Sequence, residues 1–378
     1  MPQKIRRVNI IQDHPTVTKP MNRGKTCTGK YQYKIQACTP KEAIHRILLL
    51  LPRGLGIIAA PAYADFVRYT IHTSSISMKH LLTKTFWAFL ALAVFHVPAT
   101  AQSELDGPVV STEWLAKNID HPRLVMLHVG KDGSFSERHI RGAREIGYND
   151  FAGRAGELYT ELRSATEYKE MFENMGISDN SIIVLMFSDQ WVSPTTRLYW
   201  TFDYLGHADH VYWLDGGFDK WVAEDRPVTS EAPGDVARGT FTIKENPSIL
   251  ASRDDVIAAI SNEDTQIIDA RSAGYYDGTA DSHDRPKGHI KSAGNFPYSE
   301  AVDLGNLIKT RKDLAAKFAE AGYTADKSII AYCHIGQQAT VVYFAGKMLG
   351  YDVKLYDGSF QDWSMGKHLP VVNPQTAN

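Results

Sequence analysis

One stretch of the 378-residue chain places a thiol where chemistry is possible. The segment "AYCHIGQQAT" (331–340) ends an apolar run at Cys333 and continues as a short polar loop containing Gly336. A cysteine so placed is either a buried small hydrophobe closing a strand or a nucleophile. The residues from Cys333 to Gln338 are enough to curl with their backbone N–H groups facing the sulfur and a positive helix end beyond. Gly336 permits the tight curl. Such a cradle would stabilise a thiolate, which a free thiol of pKa about 8.5 scarcely populates at neutral pH.

The other two cysteines, Cys27 and Cys38, lie far upstream. From Met78 the chain reads "MKHLLTKTFWAFLALAVFHVPATAQS": a basic start at Lys79 and Lys84, an apolar stretch from Phe86 to Val97, and the small-residue site Ala99-Thr-Ala101. That pattern predicts a secretory signal peptide over 78–101, cleaved before Gln102, and an exported protein, periplasmic or secreted. The apolar run is too short to span a bilayer, so no stable membrane anchor is expected after cleavage. Residues 1–77 are expected to be an upstream extension, with translation starting at Met78. Cleavage would leave Cys333 as the sole thiol, unable to form an internal disulfide and so either a spectator or reactive. The net charge of −2 provides no basic field of the kind nucleic acid requires.

The elements that must position Cys333 occur twice. "RHIRGAREIGY" (138–148) returns as "GHIKSAGNFPY" (288–298), "GISDNSIIVLMFSDQ" (176–190) as "GYTADKSIIAYCHIG" (322–336), and "LYWTFDYLGHADHVYWLDGGFDKW" (198–221) as "VYFAGKMLGYDVKLYDGSFQDW" (342–363). Order is kept at a period of about 140–150 residues, which marks duplication of a whole domain rather than a solenoid. Each copy predicts a serine-capped helix, a buried strand, a second helix ending at glycine, another apolar strand, a loop and helix, and a last strand ending in Asp-Gly. Alternating strands and helices imply an α/β fold with a parallel sheet covered by helices on both faces. The predicted organisation is a first domain over 102–230, a Pro/Gly-rich linker over 231–248, and a second domain over 249–378. Cys333 falls where a parallel strand hands over to a helix, the usual ligand position in such sheets. Aligning the copies through Tyr199 and Tyr343 sets Asp189 opposite it.

These motifs in order, "IIDAR" (267–271), "GHIKSAGN" (288–295), "IIAYCHIGQQA" (329–339) and "YDGSFQDW" (356–363), resemble the tandem-domain rhodanese sulfurtransferases over roughly 105–370. The resemblance implies two rhodanese-like domains, the first inactive and the second catalytic, with Cys333 carrying sulfane sulfur as a persulfide. It implies a small anionic donor, thiosulfate favoured and 3-mercaptopyruvate possible. A thiophilic acceptor (cyanide, a thiol or a protein thiol) follows, with no cofactor and no metal. Arg271 would meet the donor, its guanidinium suiting an oxyanion; alternatively it satisfies sheet-end carbonyls or an aspartate. The loop His334, Ile335, Gly336, Gln337, Gln338 and Ala339 would form the donor-binding cradle. It has neither the Arg/Lys pattern of thiosulfate-preferring loops nor the small residues of mercaptopyruvate-preferring ones. His334 either supports the thiolate as a cation or lies outward; Gln337 and Gln338 either donate to the donor or rim the mouth.

Two rival functions share the features. Cys-dependent phosphatases and arsenate reductases clamp their oxyanion with an arginine six positions after the cysteine, where this chain has Ala339. A non-catalytic rhodanese-like sulfur carrier or partner-binding module is the other alternative. Asp269 and His289 are expected to be architectural, and Asp357-Gly358 to make a turn. Asp277, Asp281, His283 and Asp284 lack metal-ligand spacing.

Overall fold

The computed structural model describes residues 107–130, 133–190, 192–282, 285–303 and 306–376; the predicted extension and signal segment lie outside them. The first repeat comprises β1 (Val109–Val110), α1 (Thr112–Asn118), β2 (Leu124–Val129), β3 (Ala143–Glu145), β4 (Gly153–Ala155), β5 (Leu158–Glu161), α2 (Ala165–Asn174), β6 (Ile182–Phe187), α3 (Val192–Tyr204), β7 (Val211–Leu214) and α4 (Gly217–Ala223). The second comprises β8 (Leu250–Ala251), α5 (Arg253–Ala259), β9 (Thr265–Asp269), β10 (His289–Ile290), β11 (Gly294–Asn295), α6 (Arg311–Glu320), β12 (Ser328–Tyr332), α7 (Ala339–Leu349), β13 (Val353–Tyr356), α8 (Ser359–Met365) and β14 (Val371–Val372).

The first sheet runs β1-β7-β6-β2-β3 and the second β8-β13-β12-β9-β11, the same order, with every pairing parallel. Both faces are buried, as a parallel sheet requires. Along β2, Val125, Leu127 and Val129 enter one core cluster while Met126 enters another. Along β12, Ile329 and Ala331 divide from Ile330 and Tyr332 in the same way, and Cys333 continues the Ile329–Ala331 face. That cluster is shared by the two repeats, because α3 and α7 pack against each other. The predicted caps form: Ser111 accepts the Trp114 amide at 3.1 Å, and Ser252 makes a capping box with Asp255.

Two features depart from the sequence expectation. The segment read as a linker contains no strand or helix until Pro247, yet it is a strap rather than a free tether. Phe241 is fully buried against Phe172, Phe202 and His207, and Gly239, Lys244 and Asn246 donate backbone hydrogen bonds to Glu173, Leu205 and Tyr204. The antiparallel hairpin β4–β5 was not foreseen. Gln361 of the second repeat pins it, accepting the Tyr159 amide at 3.1 Å and donating to the Tyr159 carbonyl at 2.8 Å.

Candidate functional site

Cys333 follows the last residue of β12 and has no exposed surface. Its amide donates to Ser359 Oγ at 3.1 Å, and that hydroxyl donates to the Tyr356 carbonyl at 2.9 Å. Ser359 pays a backbone penalty for this place, adopting φ +51° where the first repeat has Gly217.

The loop's carbonyls are anchored from outside. Cys333 O receives the Phe360 amide at 3.0 Å, and His334 O the Gln361 amide at 3.0 Å. Gly336 O receives Arg197 Nη1 at 3.3 Å. In a planar trans peptide the C=O and the next N–H point opposite ways, so the amides of His334, Ile335 and Gln337 turn away from these anchors. None of the amides of residues 334–339 donates to an acceptor among the described residues. They lead into α7, whose N-terminus adds positive potential. Gly336 sits at φ +80°, and a Cβ there would stand 2.4 Å from the Asp357 carbonyl oxygen. Only glycine fits.

Beside the loop opens a cavity of about 380 Å³, lined by Arg271, Tyr275, Asp281, Ser282, Arg285, His334 and Phe360. Arg271 is buried and first of all structural: its Nε and Nη2 grip the Asp269 carboxylate at 2.6–3.1 Å, and Nη2 also donates to the Gly288 carbonyl at 2.7 Å. Its guanidinium lies 4.1 Å from the Phe360 ring centre. His334 stands edge-on to Tyr275 at 4.4 Å. Burial, and then the Arg271 charge, push its pKa down to about 4. His334 is therefore neutral at pH 7, which removes it as a cationic support for the thiolate.

The predicted site residues thus divide. Arg271 and His334 meet at the cavity, and Ala339 opens α7, fully buried. Ile335 is half-buried in the loop. Gln337 does not rim the mouth: its Nε2 donates to Ser193 Oγ of the first repeat at 3.0 Å. Gln338 precedes α7 with its Oε1 buried. Asp269 and His289 are architectural, Asp269 holding Arg271 and accepting the Tyr332 hydroxyl at 2.7 Å, and His289 bonding the Tyr276 carbonyl at 2.7 Å. Asp357 is more than a turn residue, since it forms a buried ion pair with Arg197. Among the described residues no group of three or more His, Cys, Asp or Glu could hold a metal ion; His283 and Asp284 lie outside them.

Asp189 holds Cys333's place in one of two frames only. Leu355 pairs with Ala331, and Trp213 with Leu185, each two residues before its Asp-Gly. By sheet register the residue in Cys333's place is therefore Phe187. Counted from the helices, where Thr196 meets Thr340 at 2.8 Å, the match is Asp189. The first loop is two residues longer, and Asp189 lies out on it, exposed, at φ +54°. Its amide and that of Gln190 are occupied by the Asp219 carboxylate at 3.4 and 3.2 Å.

Sequence reasoning missed Arg197, Arg285, Ser359 and Asp219. For Arg197 a signal existed: it is the lone charge in "SPTTRLYW" (193–200), at the place of Val341 in the second copy.

Residues 111–224 and 252–365 each match the family described as "Rhodanese-like domain". "Sulfur carrier protein TtuD" of Thermus thermophilus is 32% identical over 280 residues, covering 70% of this chain and 96% of that one. "Putative thiosulfate sulfurtransferase" of Saccharopolyspora erythraea is 32% identical over 282 residues, covering 71% and 96%. The solved structure of SseA from Escherichia coli, described among 3-mercaptopyruvate sulfotransferases, superposes with a TM-score of 0.60 at 26% identity, over 67% of this chain and 98% of that one. Two matched domains, one strand order repeated and a cysteine loop in the second copy alone lead to one assignment: the chain belongs to the rhodanese-like family, as a tandem-domain member related to the sulfurtransferases.

Proposed function

We propose that the protein transfers sulfane sulfur through a persulfide on Cys333. With thiosulfate as donor, the Cys333 thiolate attacks the outer sulfur; a new S–S bond forms, the donor's S–S bond breaks, and sulfite leaves with the electron pair. A thiophilic acceptor then attacks the terminal sulfur and returns the thiolate; with cyanide the product is thiocyanate. No outside oxidant or reductant enters. The observation that carries this is that none of the loop amides at 334–339 has an acceptor among the described residues, with those of His334, Ile335 and Gln337 turned from anchored carbonyls. They suit an anion: thiolate first, persulfide next.

Arg271 and Arg285 on the cavity wall support a small anionic donor, with thiosulfate favoured over 3-mercaptopyruvate. Because Cys333 has no exposed surface, transfer requires a local opening. That burial, with the name of the Thermus thermophilus relative, favours a second reading: a sulfur carrier that holds the persulfide without rapid turnover.

The test is thiocyanate formation from cyanide with each donor, alongside the mass of the peptide containing Cys333. Turnover, a gain of one sulfur atom on that peptide, and loss of both in Cys333→Ser are expected. Sulfur gain without turnover selects the carrier, and neither result from either donor defeats the proposal. The stretch 78–101 supports export; a mature N-terminus upstream of Met78 would count against it.

A further inference from the structure

Sulfur transfer at Cys333 asks the loop amides to face one way, and part of what holds them comes from the other repeat. Arg197 lies on α3, among residues that are all buried from Val192 to Asp203. In the second repeat its place is taken by Val341, which needs no compensation. A guanidinium there must be desolvated, and its partner Asp357 is desolvated with it. Nη2 reaches Asp357 Oδ2 at 3.1 Å, while Nη1 bonds Oδ1 and also donates to the Gly336 carbonyl at 3.3 Å. Ser193, one turn earlier on the same helix, takes the Gln337 side chain. Holding the Gly336 carbonyl outward sends the Gln337 N–H the opposite way.

We propose that Arg197, carried by the repeat without the thiol, is a positioning residue for Cys333. It orients the Gly336–Gln337 peptide so that the loop stabilises the sulfur anion, which makes the first domain part of the transfer site rather than an inert copy. This rests on the sulfur-transfer proposal, but it is separable from it, because thiolate stabilisation is readable without any donor.

The full chain is alkylated with iodoacetamide across pH, and modification of the Cys333 peptide is followed by mass spectrometry. Arg197→Gln leaves a buried carboxylate unpaired and is at risk of misfolding. The double variant Arg197→Met/Asp357→Asn removes both charges together, and Arg197→Lys keeps a cation beside Asp357. In Arg197→Gln and the double variant the alkylation midpoint should rise by about one pH unit, a roughly tenfold slower reaction at neutral pH. In the thiocyanate assay kcat should fall by a similar factor with little change in the donor KM. Arg197→Lys should restore part of the shift, and carries the test alone if the others do not fold. A folded variant, judged by its thermal unfolding midpoint, that keeps the wild-type alkylation profile overturns the proposal. Wild-type protein that neither forms thiocyanate nor gains sulfur on the Cys333 peptide would defeat sulfur transfer, while the alkylation profiles would still decide the role of Arg197.

Discussion

Asp219 places its carboxylate against the Gln190 amide at 3.2 Å, so the loop of the first repeat is filled by a charge from its own domain. The residue at the same place in the second repeat is Gln361, whose side chain turns instead to the backbone of Tyr159. One loop neutralises its amides internally; the other leaves them for an external anion.

Gln361→Asp should therefore import the filled state. A carboxylate under the Cys333 loop would compete with thiolate and persulfide, and thiocyanate formation should fall at least tenfold, about 1.4 kcal/mol or more in the barrier. Gln361→Ala loses the same bonds to Tyr159 without adding charge and should fall less. Equal losses in the two variants would show that the hairpin contact, not the charge, is what matters.

Arg271 and Asp269 are almost wholly buried and paired. Arg271→Ala strands the Asp269 carboxylate and should destabilise the protein by about 3–5 kcal/mol in denaturant unfolding. A cost below about 1 kcal/mol, the range of exposed ion pairs, would assign Arg271 to the donor alone.

His334 should show no imidazole titration between pH 8 and 5 by NMR, its pKa being pushed to about 4 from the ordinary 6.5 by burial and then by Arg271. Because the folded value is the lower one, protonation favours the unfolded chain, and stability should fall as pH drops from 6.5 toward 4. His334→Asn should lessen that fall. In the thiocyanate assay it should leave the shape of the pH–rate profile between 5 and 8 unchanged, even where the height changes.

Glu161, at the end of the pinned hairpin, has a buried Oε1 with no hydrogen-bond partner among the described residues. Burial and then the nearby Asp357 raise its pKa to about 7, with Asp362 adding to the rise and Arg197 opposing it. The folded state therefore holds this proton more tightly than the unfolded chain. The resulting stability is present below about pH 4.5 and is lost as pH rises through 7. Glu161→Gln should raise the thermal unfolding midpoint at pH 8 relative to wild type and change it little at pH 4.5. A midpoint difference independent of pH would contradict the shift.

Much of the fold was legible because it is local and repeated. Serine caps, glycine stops and apolar strand runs each act within a few residues, and their duplication at one spacing identified two copies of one sheet. Cys333 and Gly336 were legible for the same reason, since the strand-to-loop-to-helix step is written in consecutive residues. Arg271 was found, but its hold on Asp269 could not be told apart from a role toward donor by type and position alone. The strap at Phe241 was missed because a Pro/Gly-rich composition reads as a linker, whatever single aromatic side chain it inserts into a core. Asp189 matches Cys333 from the helices but not from the sheet, because the strand and helix frames differ by two residues, and sequence echoes do not reveal which frame carries the chemistry.

By itself the sequence determined the family, the two-domain α/β architecture and the cysteine that one copy keeps. Those follow from periodicity, capping and turn chemistry, whose causes lie close along the chain. Tertiary structure alone decided what surrounds that cysteine. Arg197 reaches Gly336 and Asp357 from 139 and 160 residues away, burial pushes the His334 pKa down, and Gln337 is drawn to Ser193. Each depends on which faces two packed repeats bury against one another, and desolvation and ion pairing across that interface have no local signature.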